Sequence, residues 1–522
     1  MATTIITSPD TVASAYREII WETTSDREAG NIGTVTGIVN NGGFAQFNVV
    51  AGHGILVGDV VEPSINTLPI YSVKQTVTAV TATSITTDFV YSGSATPGTV
   101  TRINSNMQVN GRIFKMNTTV LTITGAGING DNTVFTTSTA HGLKVGEVVR
   151  ITGTTSYNGN HIVVVVSSAT IFQVVFVYVA SETGDVVTGK FIGETSRKSI
   201  FDGVNIAYRF NFANYLQTEL SSNNFGIGAT GFQTDHDESL FEYVVVFVEQ
   251  FDDVDGYLQD QESTFGTFKY ATQITLQHQQ TQNVTRFLQD TGSKQWLTNM
   301  PDLQKIRRDE HLQLAFITDM AGVRNRIRQY DSAGSTIANT ISGSFTINNK
   351  RGILRVDVSG LMATCVKFDV RLLSTSDADR SELVTMTIDD RCVDDAKRIW
   401  WLNRDGGFDA YTFTGDVVEG VQSKQTTFQR LIQTGFAVSE RGITTLGVDA
   451  MTIFEVFSSF VTDDQASWLS EIYTSPEVIL QVGSNMIPIK VTATKQRTIN
   501  GDALVQMSLK YVEANQLIIQ GG

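Results

Sequence analysis

Apolar and polar residues alternate along much of the chain, and a period of two is typical of β-strands. The alternation is clear at Ile353–Val358, Cys365–Leu373 and Leu383–Ile388. The run EYVVVFVE at Glu242–Glu249 is rich in β-branched residues and too short for an independent helix, so it predicts a buried strand. The pattern predicts a mainly β protein, with multidomain β-sandwich or barrel modules and few short helices.

The stretch Trp400–Phe413, WLNRDGGFDAYTF, predicts an aromatic hairpin. An apolar segment ends in two tryptophans, and Phe408, Tyr411 and Phe413 follow at strand-like spacing after a glycine pair. Glycines after an aspartate adopt positive φ at little cost, which favours a tight connection between two strands. The aromatic side chains on both sides predict a large buried area.

Residues 34–102 and 120–192 form an internal repeat, which predicts two similar β modules. Each unit reads as a hairpin with Asn-Gly at its turn, a turn of pattern H-G-x-x-V-G-(D/E)-V-V, and further strands. One histidine per unit makes a poor metal site, so each histidine is expected to brace its own turn through a backbone hydrogen bond. The pairs that share one offset of 88 residues are Asn41-Gly42 with Asn129-Gly130, Phe47 with Phe135, His53-Gly54 with His141-Gly142, Val57-Gly58 with Val145-Gly146, and Val60-Val61 with Val148-Val149.

One convincing helix is predicted near the C-terminal end, beginning after Thr462. Thr462 and Gln465 have the spacing of a capping box, and the two aspartates between them lie at the positive end of the helix dipole. Ser475-Pro476 is expected to end the helix before a strand at Val478–Leu480. Trp468 is predicted to be buried between this helix and a sheet.

The remaining segments are assigned to larger bodies around the repeats. Residues 1–33 and 103–119 are expected to belong to the main body, with a hairpin arm at Gln108–Lys115 whose tip is Asn110-Gly111. Residues 193–398 are predicted to be the main β body, and residues 399–522 a C-terminal barrel-like domain with one helix. Leu312–Phe316 and Val323–Gln329 are expected to pair as antiparallel strands around Thr318–Gly322.

Length and composition limit the classes of protein to which the chain can belong. The 522 residues are too many for one small core, and a charged content of only 17% with abundant Thr, Val, Gly and Asn favours strands and turns over long helices. With only 7 prolines, the sequence has no proline-rich linker. The net charge of -15 argues against a dedicated nucleic-acid binder, because the chain as a whole repels phosphates. Cys365 and Cys392 are interpreted as two buried free thiols. We expect no membrane span and no secretory signal, and assembly in a host cytoplasm.

Catalytic motifs are absent from the sequence. It contains no G-x-S-x-G, no Walker loop, no H-E-x-x-H and no cysteine cluster, so no enzyme activity and no cofactor is predicted. Asp252–Gly256 resembles part of a calcium loop but lacks the fuller ligand series, and an acidic turn is the better interpretation. The sequence around His236 is interpreted as a solvated loop.

A row of arginines is the sharpest local charge feature in this acidic chain. Arg324, Arg326 and Arg328 lie on one face of a predicted strand. The simpler interpretation is a solvated face neutralised by neighbouring carboxylates. The functional interpretation is a candidate subunit interface that meets an acidic patch of a neighbouring copy, and direct DNA contact is a third alternative.

Three blocks of the chain resemble a known family. These are the Asn-Arg-x-Gly-Gly hairpin at Asn403–Gly407, the block WLSEIYTSPEV at Trp468–Val478, and a closing strand that ends at Tyr511–Asn515. In these features the chain resembles virion structural proteins of tailed phages that infect Bacteroides and its relatives, including the crAss-like phages. The resemblance covers most of the chain outside the two repeats.

The resemblance implies a non-enzymatic virion component that forms a homo-oligomeric ring in the tail or portal-proximal connector. Its expected partners are itself, neighbouring tail, portal or connector proteins, and phage DNA that passes through the channel without specific binding. An acidic channel wall repels DNA over about 8–10 Å at physiological salt. Two alternatives stay open: a receptor- or glycan-binding tail protein that uses the repeats, and a tail-borne depolymerase.

Overall fold

The computed structural model describes residues 3–10, 12–15, 18–25, 32–65, 67–94, 98–197, 200–201, 206–220, 231–234, 239–272, 286–289, 292–347, 350–391, 393–429, 443–492, 505–514 and 518–521. Strands account for 62% and helices for 6% of the protein, which confirms the predicted mainly β class with few short helices. No helix among the described residues is long and apolar enough to cross a membrane.

The first part of the chain contains 21 of the described strands and one short helix, α1 at Ala213–Glu219. The strands are β1 Thr3–Thr7, β2 Val12–Ser14, β3 Ile20–Ser25, β4 Ile32–Asn41, β5 Phe44–Val49, β6 Val60–Ile65, β7 Gln75–Thr81, β8 Ser84–Val90, β9 Gly98–Arg102, β10 Ser105–Asn129, β11 Asn132–Thr137, β12 Val148–Thr152, β13 Gly159–Ser168, β14 Ile171–Val174, β15 Gly184–Arg197, β16 Ile200–Phe201, β17 Ile206–Asn211, β18 Gly231–Thr234, β19 Leu240–Asp252, β20 Leu258–Phe265 and β21 Lys269–Thr272.

The second part contains a further 16 described strands and the helix α2 at Asp463–Leu469. The strands are β22 Gln304–Arg307, β23 His311–Ile317, β24 Gly322–Tyr330, β25 Thr336–Ile341, β26 Phe345–Thr346, β27 Arg351–Asp357, β28 Lys367–Ser374, β29 Val384–Asp389, β30 Lys397–Leu402, β31 Phe408–Phe413, β32 Val417–Gln429, β33 Ile443–Val461, β34 Val478–Val482, β35 Asn485–Val491, β36 Val505–Glu513 and β37 Ile518–Gly521.

The chain divides into two compact units. The first unit comprises Met1–Leu220 and Phe241–Thr272, and the second comprises Ser221–Leu240 and Gln273–Gly522. This division differs from the segments predicted from the sequence, because the predicted main body of residues 193–398 is shared between the two units. The reason is β19, a buried strand that pairs with β10 of the first unit and so draws residues 241–272 away from their sequence neighbours.

Both repeats in the first unit form six-stranded circuits with one strand order. The first is a closed barrel, β4-β5-β8-β7-β6-β9. The second follows the order β10-β11-β14-β13-β12-β15, in which β10 also pairs with β11 and thereby closes the circuit. Each has its own apolar core, centred on Phe47 and Tyr71 in the first and on Phe135 and Tyr157 in the second.

One backbone hydrogen bond to the histidine ring recurs at the repeated turns of both barrels. The N–H of Ile55 donates to Nδ1 of His53 at 3.1 Å, and the N–H of Leu143 donates to Nδ1 of His141 at 3.0 Å. This confirms that each histidine braces its own turn. Gly58 and Gly146 have φ values of 87° and 88°, a conformation that β-branched residues rarely adopt.

We expect Gly146→Val to lower the free energy of unfolding of the second barrel by about 1–3 kcal/mol, the usual range for a non-glycine residue held at positive φ. A Cβ at Gly146 meets no heavy atom within 4 Å, so the loss is conformational rather than steric. Gly58→Val is expected to act likewise in the first barrel. Chemical denaturation measures both, and Gly127→Val is the matched control, because that strand position is equally open but has no positive φ. Equal stability of the Gly146 and Gly127 variants would contradict the turn argument.

Strand β10 corrects the prediction of a hairpin arm at Gln108–Lys115. It runs unbroken through Asn110 and Gly111, pairs with β19 and β15, and continues into the second barrel. Gly111 therefore makes no turn. A Cβ there would lie 2.6 Å from the ring of Phe212, so the glycine is needed for close packing of the strand against that aromatic side chain.

The described residues of the second unit form three sheets. The six-stranded sheet, β22-β29-β28-β24-β25 with β26 paired to β24, shares one apolar cluster with the small sheet β18-β27-β23. The eight-stranded sheet, β31-β30-β34-β35-β36-β33-β32 with β37 paired to β33, holds the second cluster together with α2. The predicted pairing of the strands around Thr318–Gly322 is wrong: β23 pairs with β27, whereas β24 pairs with β25, β26 and β28.

The C-terminal helix and the aromatic hairpin follow the sequence prediction. β30 and β31 pair antiparallel across the turn, in which Gly406 has φ of 84°. The capping box at α2 is complete, with Gln465 N–H donating to Thr462 Oγ1 and Thr462 N–H donating to Gln465 Oε1. Trp468 is buried, which confirms the predicted packing of the helix on the sheet.

Candidate functional site

The structure places Arg324, Arg326 and Arg328 on one face of β24, as the alternation predicts. Arg324 forms an ion pair with Asp377 at 2.6 Å, and Arg326 forms one with Asp379 at 3.2 Å. Both aspartates lie just after the end of β28, the neighbouring strand. The first two arginines are therefore partly buried and neutralised within the chain, so they form no open basic patch.

The polar side chains at the far end of this strand face also have hydrogen-bond partners within the chain. The hydroxyl of Tyr330 donates to Oδ2 of the buried Asp369 at 2.5 Å, and Asp369 stands opposite Arg328 in the register of β24 and β28. The hydrogen bond to Asp369 raises the pKa of Tyr330. These contacts favour the interpretation of a strand face neutralised by neighbouring carboxylates.

The turn of the aromatic hairpin is held by the side chain of Asn403. Its Oδ1 accepts the N–H groups of Asp405 and Gly407 at 3.0 and 2.9 Å, and its Nδ2 donates to the carbonyl of Leu297 at 2.8 Å. A Cβ at Gly407 would lie 2.3 Å from the same carbonyl oxygen. The Asn-Arg-Asp-Gly-Gly sequence thus fixes the hairpin against the segment that precedes β22.

Three buried acids surround this turn. Asp409 Oδ2 accepts Trp468 Nε1–H at 2.7 Å and the hydroxyl of Thr298 at 2.9 Å. Asp405 accepts a hydrogen bond from Arg286 at 3.2 Å, and Glu471 accepts one from the amide of Asn299 at 3.0 Å. Asp409 and Glu471 are therefore both anchored to the segment at Thr298 and Asn299, whereas Asp405 is anchored to Arg286.

Burial shifts the titration of two of these acids. It raises the pKa of Asp409 to about 7, and nearby Glu471 adds to the rise while the bonds from Trp468 and Thr298 oppose it. Burial also raises the pKa of Asp405 to about 6, against the opposing effect of Arg286. Within the described part of the chain no group of three or more His, Cys, Asp or Glu side chains has a geometry that could hold a metal ion.

An open cleft of about 80 Å³ lies where the six-stranded and eight-stranded sheets of the second unit meet. Its floor and walls come from β22, the residues at the end of β29, β31, β33 and α2, so it combines side chains from five separate parts of the chain. The cleft is lined by Gln304, Lys305, Ile306, Arg307, Asp389, Arg391, Tyr411, Thr412, Thr414, Ser459, Phe460, Val461 and Gln465.

Positive groups exceed negative ones in this cleft. Arg391 donates to both carboxylate oxygens of Asp389 at 2.8 and 2.6 Å, and these bonds lower the pKa of Asp389. Lys305 and Arg307 add two further positive charges. In a chain with a net charge of -15, this cleft is a local exception.

The structure also describes Cys365 and the acidic loop at Asp252–Gly256, which the sequence analysis singled out. Cys365 is buried, and its thiol donates to the carbonyl of Lys367 at 3.2 Å, whereas Cys392 and His236 lie outside the described residues. Asp253 Oδ1 accepts the N–H groups of Asp255 and Tyr257 at 3.0 and 2.9 Å. The acidic loop after β19 therefore uses this carboxylate oxygen to form its own turn.

Sequence reasoning found the aromatic hairpin but missed the cleft. Its lining residues are up to 161 positions apart, as the contact between Gln304 and Gln465 illustrates, and no motif spans such a distance. The capping glutamine was visible in the sequence, but only for its role in starting α2. Comparisons with known proteins add no assignment: no family model matches the chain, and no curated protein matches it significantly.

Proposed function

We propose that this chain is a non-enzymatic structural protein of a tailed phage virion, which forms a homo-oligomeric ring in the tail or the portal-proximal connector. The phage class comes from the resemblance at the aromatic hairpin, the helix-to-strand block and the closing strand. The assembly role rests on one observation in the structure, the ribbon formed by the long paired strands β32 and β33, Val417–Gln429 and Ile443–Val461, at the edge of the eight-stranded sheet.

The ribbon exposes apolar side chains over most of its length. All residues of β32 after Val417 are exposed, with Val421 at 73%, and Ile443 on β33 is 61% exposed. No described strand pairs with the outer edge of β32. β33 pairs on its other side with β36 and β37, so β32 is the unpaired edge of the described strands, and a row of exposed apolar side chains beside a free strand edge is typical of a surface that binds a partner. The exposed apolar side chains are Val418, Val421, Phe428, Ile443, Leu446, Met451 and Phe460.

The charge of the ribbon favours a second copy of the chain as that partner. Within Val421–Gln429 and Ile443–Thr452 the only charged residues are Lys424 and Asp449, which stand directly opposite each other. These outer parts of the two strands are therefore neutral, and they can approach another acidic copy without the repulsion that a typical surface of this chain would meet. Contacts between different patches of identical subunits generate rings when they close.

The size of the ribbon is also adequate for an assembly contact. Nine residues per strand at about 3.4 Å each give a length of about 30 Å, and two strands are about 10 Å wide. Covering both faces would bury about 600 Å² of the ribbon and a similar area of the partner. The total of about 1,200 Å² lies at the lower end of stable interfaces between proteins.

The glycan-binding alternative has less support in the two barrels. Aromatic platforms are a common means of holding sugar rings, yet the central aromatic residues of the barrels pack inward, as in the contacts of Phe47 with Tyr71 and of Phe135 with Tyr157. Among the described residues of the barrels, Phe44 and Phe191 are the exposed aromatics, one in each repeat. Neither repeat therefore presents a cluster of exposed rings.

Imaging of the purified full-length chain tests the proposal. Negative-stain electron microscopy and mass photometry are expected to show closed rings of uniform copy number, and mass spectrometry of purified virions is expected to detect the chain among tail or connector proteins. A chain that stays monomeric at micromolar concentration and is missing from virions would overturn the proposal. Release of reducing sugars from host glycans would instead support the depolymerase alternative.

A ribbon variant tests which surface carries the assembly. Val421→Asp combined with Ile443→Asp places two buried charges in the proposed contact, and we expect at least a tenfold rise in the concentration needed for rings. Val90→Asp is the control, because Val90 is a comparably exposed valine on a strand of the first barrel. If the wild type and both variants form rings at the same concentration, the proposal of a ring would stand, but the ribbon would be rejected as the contact between subunits.

A further inference from the structure

We propose that the cleft of the second unit is a binding site for a carboxylate group, such as the side chain of an aspartate or glutamate on a protein partner. The site does not require a ring, because its lining residues all come from one copy of the chain, although Phe460 at its mouth also belongs to the ribbon. It contains two buried hydrogen-bond donors that have no acceptor among the described residues.

The first donor is the amide of Gln304. This side chain is 98% buried, its exposed fraction being 2%, and its Nε2 has no hydrogen-bond partner. The capping box fixes which end of the amide is free. Gln465 Oε1 accepts the N–H of Thr462, so Gln465 Nε2 must be the donor to Gln304 Oε1, at 3.2 Å. The remaining Nε2 of Gln304 is left as a pure donor in the lining of the cleft.

The second donor is Arg307, three residues along the same edge strand. Its Nη1 is buried and has no hydrogen-bond partner. The only ion pair of this side chain among the described residues is to Asp309 through Nε at 3.4 Å, and that aspartate is highly exposed, so the pair is weak. A guanidinium with a free buried N–H favours an anionic acceptor, since charge-assisted hydrogen bonds are about twice as strong as neutral ones.

The chemistry of the lining selects the class of ligand. Free donors on Gln304 and Arg307, together with the charge of Lys305, call for oxygen acceptors that carry negative charge. Asp389 is the one acid in the lining, and its carboxylate is occupied by Arg391. Tyr411 and the hydroxyls of Thr412, Thr414 and Ser459 complete the polar wall.

The size of the cleft favours a carboxylate over a larger anion. A water molecule occupies about 30 Å³ of liquid, so 80 Å³ admits a group of about three heavy atoms. A carboxylate group has this size, and the open mouth leaves room for the rest of the ligand. Phe460 is 68% exposed beside the mouth and provides an apolar contact for the attached chain.

Calorimetric titration of the full-length chain with glutarate tests the site, because glutarate carries the end group of a glutamate side chain. We expect one binding event per chain at low salt, weakened by added salt, and none with the uncharged glutaramide. Arg307→Met is expected to weaken glutarate binding at least tenfold. Arg308→Met is the matched control, since it removes the same charge from the next residue, which pairs with Asp390 and does not line the cleft.

Gln304→Glu gives a second test, because it replaces the free donor with an acceptor. Loss of glutarate binding by a variant that keeps the circular dichroism spectrum of the wild type is the expected result. Inorganic phosphate is titrated in parallel, and equal or tighter binding of phosphate would reject a carboxylate as the preferred ligand. No binding of glutarate to the wild-type chain, or equal binding to wild type and Arg307→Met, would overturn the site.

Discussion

Replacing Trp468 with alanine is expected to lower the free energy of unfolding of the second unit by about 3–5 kcal/mol, the usual range for removal of a buried large aromatic. The indole is only 3% exposed and packs against Trp401 with ring centroids 5.0 Å apart. Its truncation would open a cavity in the cluster shared by α2 and the eight-stranded sheet. Denaturant titration followed by circular dichroism measures the loss.

Two further variants separate the causes of this effect. Trp468→Phe keeps most of the ring volume but removes the N–H that donates to Asp409 at 2.7 Å, so a smaller loss is expected. Tyr257→Ala removes a large aromatic that is 69% exposed, and little change is expected. A loss at Trp468→Ala no larger than that at Tyr257→Ala would show that the indole does not support the core.

Local sequence signals located turns and caps well in this chain. The repeat with its offset of 88 was visible because the turn residues His53, Gly58, His141 and Gly146 have fixed geometric roles at fixed spacing. The capping box at Thr462 is likewise a contact between residues three positions apart. Such features depend on neighbouring residues alone, and hence a single sequence reveals them.

Pairing between distant strands was harder to predict. The strands at Leu312–Phe316 and Val323–Gln329 were recognised, but the alternation of apolar and polar residues does not indicate which strands pair with each other. β23 instead pairs with β27, about forty residues along the chain. Asn110-Gly111 was misread for a related reason: a glycine required by a distant aromatic ring has the same sequence signal as a glycine required by a turn.

The surroundings of the polar groups in the second unit could not be predicted from the sequence for the same reason. Asp409 is one of 53 acidic residues in the chain, and nothing in the adjacent letters distinguishes it as buried. Its environment comes from Thr298, Glu471 and Trp468, which lie 111, 62 and 59 positions away. The arginines of β24 show the reverse case, since their alternation was evident but their aspartate partners were not.

Replacing Asp409 with asparagine is expected to make the stability of the second unit less dependent on pH between about 4 and 7. In the folded chain burial raises the pKa of Asp409 from 3.8 to about 7. Between these values the folded carboxyl keeps its proton while the unfolded one has lost it, so rising pH favours unfolding. The stability associated with this proton is present below pH 3.8 and is lost as pH rises through about 7. Asparagine does not titrate, so its slope should be smaller by up to about 1.4 kcal/mol per pH unit.

The charged groups around Asp409 must be considered when the pH dependence of the unfolding free energy is interpreted. Glu471 and Asp405 add negative charge to the site, while Arg286 and Arg404 oppose it. Asp389→Asn is the control, because hydrogen bonds from Arg391 lower the pKa of Asp389; its contribution is present above pH 3.8 and is lost only at lower pH. Unfolding free energies measured at half-unit steps from pH 4 to 8 should therefore differ in slope for the Asp409 variant and not for the control. An Asp409 variant that is destabilised equally at every pH would mean that the carboxyl is ionised in the folded core.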